Sequence, residues 1–161
     1  MDYPEKYIIR FWSKIDKSGD CWIWTSSLNA SGYGQLVVTQ DGQRTAFRSN
    51  RMAYELEFGP IPDGMLVDHI CLVRACCNPK HLRLATQKQN MEHRPGANKN
   101  NVSGIRGVTF HRRRNRWQAR VEHHGRKISC GYYDTKEAAG EAAAAKRIEL
   151  FTHNDLDRRA A

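Results

Sequence analysis

The sequence lacks long hydrophobic runs and is short of acidic residues. No stretch approaches the roughly 18 apolar residues of a transmembrane helix, so we expect no membrane partner. The opening residues, MDYPEKYIIRFW, lack the apolar segment of a signal peptide, which favours a cytoplasmic location. Asp and Glu number 17 against 26 Lys and Arg, a formal net charge of +9. This excess favours a polyanionic partner without identifying it.

The cysteine count is odd, which argues against a disulfide framework. Five cysteines in a reducing compartment are better explained as metal ligands or buried thiols. A length of 161 residues with 40% hydrophobic residues allows one ordinary domain or two small ones. The same composition excludes a wholly disordered or collagen-like chain.

The positive charge is concentrated in the second half of the chain. Residues 1–97 carry 12 basic and 10 acidic side chains, whereas residues 98–161 carry 14 and 7. Residues 104–131 alone contain seven arginines and Lys127 against a single acidic residue, Glu122. A solvated basic surface is one explanation. Phosphate contacts and forked recognition of guanine explain an arginine-rich, strand-forming segment better.

The pattern of turns and periodic segments predicts an α+β fold in two domains. Residues 94–104 are rich in Pro, Gly, Asn and Ser, so we expect domains at 1–97 and 104–161 joined by a linker at 98–103. The first domain should contain a hairpin turn at Asp41-Gly42 and a helix over 51–58. The second should contain three strands and one helix, with Asp134 as its cap.

The stretch VDHICLVRACCNPKHLRLATQKQN, residues 67–90, carries the chemistry. In Asp68-His69, a carboxylate that can hold a divalent cation precedes an imidazole that can take a proton from water. His81 and Asn90 follow in the same stretch. With GDCWIWTSSLNASGYG at 19–34 and RMAYELEFGPIPDG at 51–64, residues 20–93 resemble the HNH (ββα-metal) endonucleases, particularly their phage and intron-encoded homing branch.

The resemblance implies a role for each matching residue. Asp68 and Asn90 would bind a catalytic Mg²⁺ or Mn²⁺, and His69 would be the general base. Either His81 or Asn78 would orient that base through a backbone carbonyl. The products would carry a 5′-phosphate and a 3′-hydroxyl. Relatives often have His-Arg where this chain has Asn50-Arg51, so Arg51 is expected at most to hold a phosphate.

The cysteines near this motif suggest a second metal site. Cys21, Cys71 and Cys76 fall where this branch commonly has cysteine, and with His81 they would complete a four-coordinate structural Zn²⁺ site. The alternative is a cluster of buried reduced thiols. The zinc site conflicts with a catalytic role for His81.

Residues 103–150 resemble the Apetala-two (ethylene-response-factor-type) DNA-binding domain. The matching segments are Arg106-Gly107-Val108, residues 117–120, residues 131–135 and residues 137–139. The resemblance implies a three-stranded antiparallel sheet that lies in the DNA major groove and is backed by one helix. The expected DNA contacts are Arg106, Arg112, Arg114, Trp117, Arg120, Arg126 and Lys127. For Trp117, packing on the helix is an equal alternative.

Together these features predict a phage-like homing endonuclease that acts on double-stranded DNA. A monomer with one active site would most naturally nick its target. Two alternatives stay open: a non-catalytic, sequence-specific DNA-binding protein with a decayed nuclease domain, and a broad phage nuclease.

Overall fold

The computed structural model describes residues 3–40 and 42–161, which form two compact units that meet between Gln87 and Lys88. The helices are α1 (Glu5–Trp12), α2 (Ser49–Phe58), α3 (Gln87–Glu92), α4 (Lys136–Leu150) and α5 (Asp155–Ala160). The strands are β1 (Ile15–Asp16), β2 (Ile23–Trp24), β3 (Gln35–Gln40), β4 (Gln43–Arg48), β5 (Leu66–His69), β6 (Leu82–Ala85), β7 (Val108–His111), β8 (Arg116–His123) and β9 (Arg126–Tyr133).

The first unit packs α1 and α2 with three two-stranded antiparallel sheets around an aromatic core. Phe11 of α1 and Met52 of α2 are fully buried there beside Trp24. Chain topology then places β5 and β6 as a hairpin followed directly by α3. Strands β3 and β4 pair as predicted on either side of the turn, whose Asp41 lies outside the described residues.

The second unit is an antiparallel sheet in the order β7-β8-β9 with α4 against one face. Ala139 and Ala143 are fully buried one helical turn apart, so the helix backbone approaches the sheet closely. The predicted cap is wrong: Thr135, not Asp134, accepts the Ala138 amide. Asp134 instead forms an ion pair with Arg116, so its carboxylate points away from the helix terminus.

The residues predicted to form a linker fold with the second unit. Ser103 is buried, and its hydroxyl donates to the carbonyl of Val108 over 2.8 Å. Asn101 donates to the carbonyl of Ile105 over 2.9 Å. The two compact units divide after Gln87, whereas the predicted boundary is at residue 97.

The α+β class is confirmed, with small antiparallel sheets and a three-stranded sheet near the C-terminus. Among the described residues, no helix combines the length and the apolar character needed to cross a membrane.

Candidate nuclease and metal site

Asp68 and His69 end strand β5, and both side chains are buried. The β5–β6 register places Asp68 opposite Arg83, whose Nε donates to the Asp68 carboxylate over 3.0 Å. Side chains directly opposite each other in an antiparallel pair lie on the same face, which explains this contact. The hairpin therefore fixes the orientation of the carboxylate. Arg83 was not among the predicted site residues, although a symmetric hairpin between the two apolar segments pairs it with Asp68.

The imidazole of His69 is oriented by the carbonyl of Cys76, which lies 3.1 Å from Nε2. Because a carbonyl oxygen only accepts, Nε2 carries the proton and Nδ1 carries the lone pair. Burial lowers the pKa of His69, against the opposing effects of the Cys76 hydrogen bond and the Asp68 charge. The neutral ring is therefore favoured, as a general base requires.

Neither predicted orienting residue contacts the base through its carbonyl. The carbonyl of Asn78 accepts from the amide of His81, and the carbonyl of His81 accepts from Ile70. The side chain of Asn78 is also hydrogen-bonded. Its Oδ1 caps a short 3₁₀ turn (Pro79–His81) by accepting from the backbone amide of Lys80. Its amide donates to the carbonyl of Asp20 over 2.7 Å.

Tyr33, which the sequence did not indicate as a site residue, lies beside His69, and two arginines lie over its ring. The Tyr33 ring centroid lies 5.8 Å from that of His69. The guanidinium groups of Arg48 and Arg74 lie 5.3 and 5.8 Å from the Tyr33 centroid. Arg74 is anchored by a 2.8 Å hydrogen bond to the carbonyl of Ser31. Two cations over the Tyr33 ring, which itself lies beside His69, would attract a phosphate.

Cys21, Cys71, Cys76 and His81 form a compact group, with one ligand atom from each within 4.8 Å of every other. Nδ1 of His81 lies 3.5 Å from the Cys21 sulfur and 3.6 Å from that of Cys76. A tetrahedral zinc with bonds of about 2.0–2.3 Å brings its ligands about 3.5–3.8 Å apart, so the donor set fits Zn²⁺. Asp20 lies 3.3 Å from the other His81 nitrogen, as a supporting carboxylate often does.

Backbone pairing brings the distant Cys21 to this group. The amide of Cys77 donates to Trp22 over 2.7 Å, and Ile23 and Cys76 form an isolated β-bridge. The side chain of Cys77 points the other way into the apolar core, where burial raises its pKa to about 11. Alternation along an extended segment thus separates the Cys76 thiol, which faces the Cys/His group, from the Cys77 thiol, which faces the core.

Asn90 and Arg51 were also assigned to the nuclease function, and both roles stay predictions. Asn90 is half-buried on α3, beyond Gln87 where the first unit ends, and its role as a metal ligand stays a prediction. Arg51 lines a hollow of about 270 Å³ with Tyr3 and Glu55.

In the second unit, the expected DNA contacts divide between the two faces of the sheet. Arg120 and Lys127 lie on the face opposite α4, and Arg112, Arg114 and Arg126 are exposed at the two turns. Trp117 lies on the other face, where it packs against the core and meets Phe110 edge-on at 5.0 Å. The packing alternative for Trp117 is therefore the observed one.

The side chain of Arg106, one of the expected DNA contacts, is hydrogen-bonded within the second unit. Its guanidinium donates to the carbonyls of Met91, Glu92 and Arg94 over 2.9 to 3.1 Å. Burial lowers its pKa to about 10, and the nearby Arg147 charge adds to this effect. The side chain therefore holds residues 91–94 on the second unit.

Comparison with known proteins identifies part of the chain. Residues 50–92 match the HNH endonuclease family. This segment is therefore similar to an HNH endonuclease domain. It includes Asp68, His69, Cys71, Cys76 and His81, and it spans the β5–β6–α3 arrangement described above.

The chain is similar to three curated phage proteins. The chain is 42% identical over 73 residues to Protein 7.7 of Escherichia phage T7, covering 45% of this chain and 53% of that protein. It is 34% identical over 90 residues to Protein 2.8 of the same phage, covering 56% of this chain and 58% of that protein. It is 37% identical over 65 residues to the uncharacterized gene 5.3 protein of Enterobacteria phage T3, covering 39% and 64%. The chain thus spans between half and two-thirds of these relatives. No solved structure matches it significantly.

Proposed function

We propose that this protein is a metal-dependent DNA endonuclease of the homing type, whose second unit directs the cut to a chosen site. The observation that carries the proposal is the buried Asp68–His69 pair in an HNH domain, with the imidazole fixed by the Cys76 carbonyl. That hydrogen bond leaves the Nδ1 lone pair to take a proton from water. A hydroxide so formed attacks the phosphorus and breaks its bond to the 3′-oxygen, which takes a proton from water, so the products carry a 5′-phosphate and a 3′-hydroxyl.

The donor chemistry of the site suits a hard divalent cation. Asp68 and Asn90 supply oxygen ligands, which Mg²⁺ and Mn²⁺ prefer, and they would hold the metal. When bound, such an ion stabilises negative charge on the phosphate and on the leaving 3′-oxygen. Arg48 and Arg74, beside Tyr33, would orient the phosphate with their guanidinium groups. One site per chain favours nicking by a monomer.

A structural Zn²⁺ held by Cys21, Cys71, Cys76 and His81 supports this site. Cys76 belongs to both groups, because its sulfur lies in the Cys/His cluster while its carbonyl orients His69. Fixing the Cys76 sulfur would therefore also fix the carbonyl on which the base depends. The zinc role replaces the alternative catalytic role of His81.

The second unit is proposed to be an Apetala-two-like module that binds the DNA major groove. Helix α4 covers one face of its sheet, and the opposite face carries Arg120 and Lys127, with the arginine turn at 112–114 at one end of the sheet. The width of a twisted sheet suits the major groove, and arginine suits the guanine edge.

The test is cleavage of double-stranded phage and bacterial DNA by the native chain and by His69→Ala, with Mg²⁺ or with EDTA. We expect Mg²⁺-dependent cleavage that falls at least about 100-fold in the variant while DNA binding is kept. His124→Ala, at an exposed position of the second unit, is the matched control and should cleave normally.

Three other outcomes would contradict the proposal. Undiminished cleavage by His69→Ala would refute the assigned base. DNA binding without any cleavage by the native chain would support the non-catalytic alternative. Cleavage without preferred positions would support a broad nuclease instead of a homing enzyme.

A further inference from the structure

One arginine of the second unit is held in a fixed orientation on the open face of the sheet. His111 of β7, Gln118 of β8 and Tyr132 of β9 lie on the face opposite Trp117, and Arg114 reaches them from the β7–β8 turn. Each strand thus contributes one side chain to a polar group around the Tyr132 ring.

The contacts of Arg114 fix both its backbone and its side chain. Its guanidinium lies 4.4 Å from the centroid of the Tyr132 ring. Its amide donates to Nδ1 of His111 over 3.2 Å, and the His111 ring meets Tyr132 edge-on at 5.3 Å. Gln118 in turn donates to the Tyr132 hydroxyl over 3.0 Å, which fixes the ring itself.

The neighbouring arginines lack this support. Arg112 and Arg113 of the same turn are exposed, and in the part of the chain that the structure describes neither meets an aromatic ring. Arg116 is paired with Asp134 over 3.0 Å. Of the arginines at this turn, Arg114 is therefore the one stacked on an aromatic side chain.

A stacked guanidinium is suited to reading a base. Stacking occupies one face of the guanidinium plane, whereas its N–H groups point outward along the edge of that plane. Because the side chain is already ordered, less conformational entropy is lost when a bidentate hydrogen bond forms. A flexible arginine keeps its attraction for phosphate, but it selects poorly among base edges.

We infer that Arg114 is the principal specificity-determining residue of the second unit, reading one guanine of the target, and that Tyr132 is its positioning residue. The inference rests on the proposed DNA-binding function of this unit. It assigns Arg112 and Arg113 to phosphates, which contribute affinity without sequence preference.

The experiment is selection of binding sites from a random double-stranded DNA library by the full-length chain, without added Mg²⁺ or Mn²⁺ so that the DNA is not cleaved. It is followed by titration of the selected duplex and of a duplex with the preferred guanine replaced. Arg114→Lys keeps the charge but removes the fork. We expect it to lower the preference for that guanine roughly tenfold. Tyr132→Leu removes the ring, and we expect it to lower the preference about two- to fivefold.

The matched control is Arg113→Lys, in the same turn, which should select the same sequence as the native chain. Thermal unfolding of each variant separates a lost contact from a lost fold. A native-like fold with unchanged guanine preference in Arg114→Lys would overturn the inference. A native chain that selects no sequence would also overturn it. The proposed catalytic function is tested separately, by Mg²⁺-dependent cleavage.

Discussion

Replacing Arg106 with alanine should destabilise the second unit instead of removing a DNA contact. The guanidinium donates three hydrogen bonds to the carbonyls of Met91, Glu92 and Arg94. A hydrogen bond to a charged group contributes about 1.5–3 kcal/mol when it is well buried. Arg106 is only partly buried, so we take about 1 kcal/mol per bond after solvent screening, or about 3 kcal/mol in all.

Such a loss is large for a unit of this size. For a domain of 60–100 residues, about 3 kcal/mol lowers the melting temperature by roughly 12 °C or more. Calorimetry of the full chain would measure this shift. Hydrogen exchange of the β8 amides would assign it to the second unit. Arg106→Lys should lie between the native chain and Arg106→Ala, because one ammonium group cannot replace a fork whose two terminal nitrogens bind separate carbonyls.

The matched control is Arg112→Ala, which removes an equal charge from an exposed position. It should change stability by no more than about 0.5 kcal/mol. If Arg106→Ala unfolds like the native chain but binds DNA more weakly, the structural role is refuted and Arg106 is a DNA contact after all.

Two further predictions concern a buried ion pair and the zinc site. Asp157→Asn should lower the free energy of unfolding by about 3 kcal/mol, because it leaves the buried Arg147 without its carboxylate partner. Burial raises the pKa of Asp157, but its hydrogen bonds to Arg147 and Asn154 and the Arg147 charge lower it overall. The native chain should therefore exceed the variant in free energy of unfolding by the whole amount at neutral pH. This difference should shrink towards zero as the pH falls below about 4, as measured by urea titrations. For the zinc site, the dialysed chain should hold one zinc by elemental analysis, Cys76→Ser should lose it, and Cys130→Ser should keep it. Less than one zinc in the native chain would refute the site.

The sequence predicted the HNH segment well because its signals are local. Asp68 and His69 are adjacent, so any strand at that position presents both at one end. The Cys71, Cys76 and His81 spacings lie within a single loop and turn, so the chain needs only to fold back once to gather them. The orientation of His69 was not predictable, because its hydrogen bond to the Cys76 carbonyl depends on the conformation of that loop.

The arginines of the second unit show most clearly what could not be predicted from the sequence. By sequence, Arg106 and Arg114 are equally plausible DNA contacts in one basic stretch. In the structure, Arg106 folds inward onto carbonyls of residues 91–94, whereas Arg114 is stacked on Tyr132 and exposed. Composition records the charge of a side chain but not the groups that surround it.

The sequence by itself determined the α+β class, the HNH motif and the concentration of positive charge in the second half. These follow from local patterns of residue type, which persist whatever the rest of the chain does. The tertiary structure decided which cysteine faces the metal group, which carbonyl orients His69 and which arginines are committed to the protein itself. Those choices depend on strand register and long-range backbone pairing, which bring together residues that are far apart in the chain.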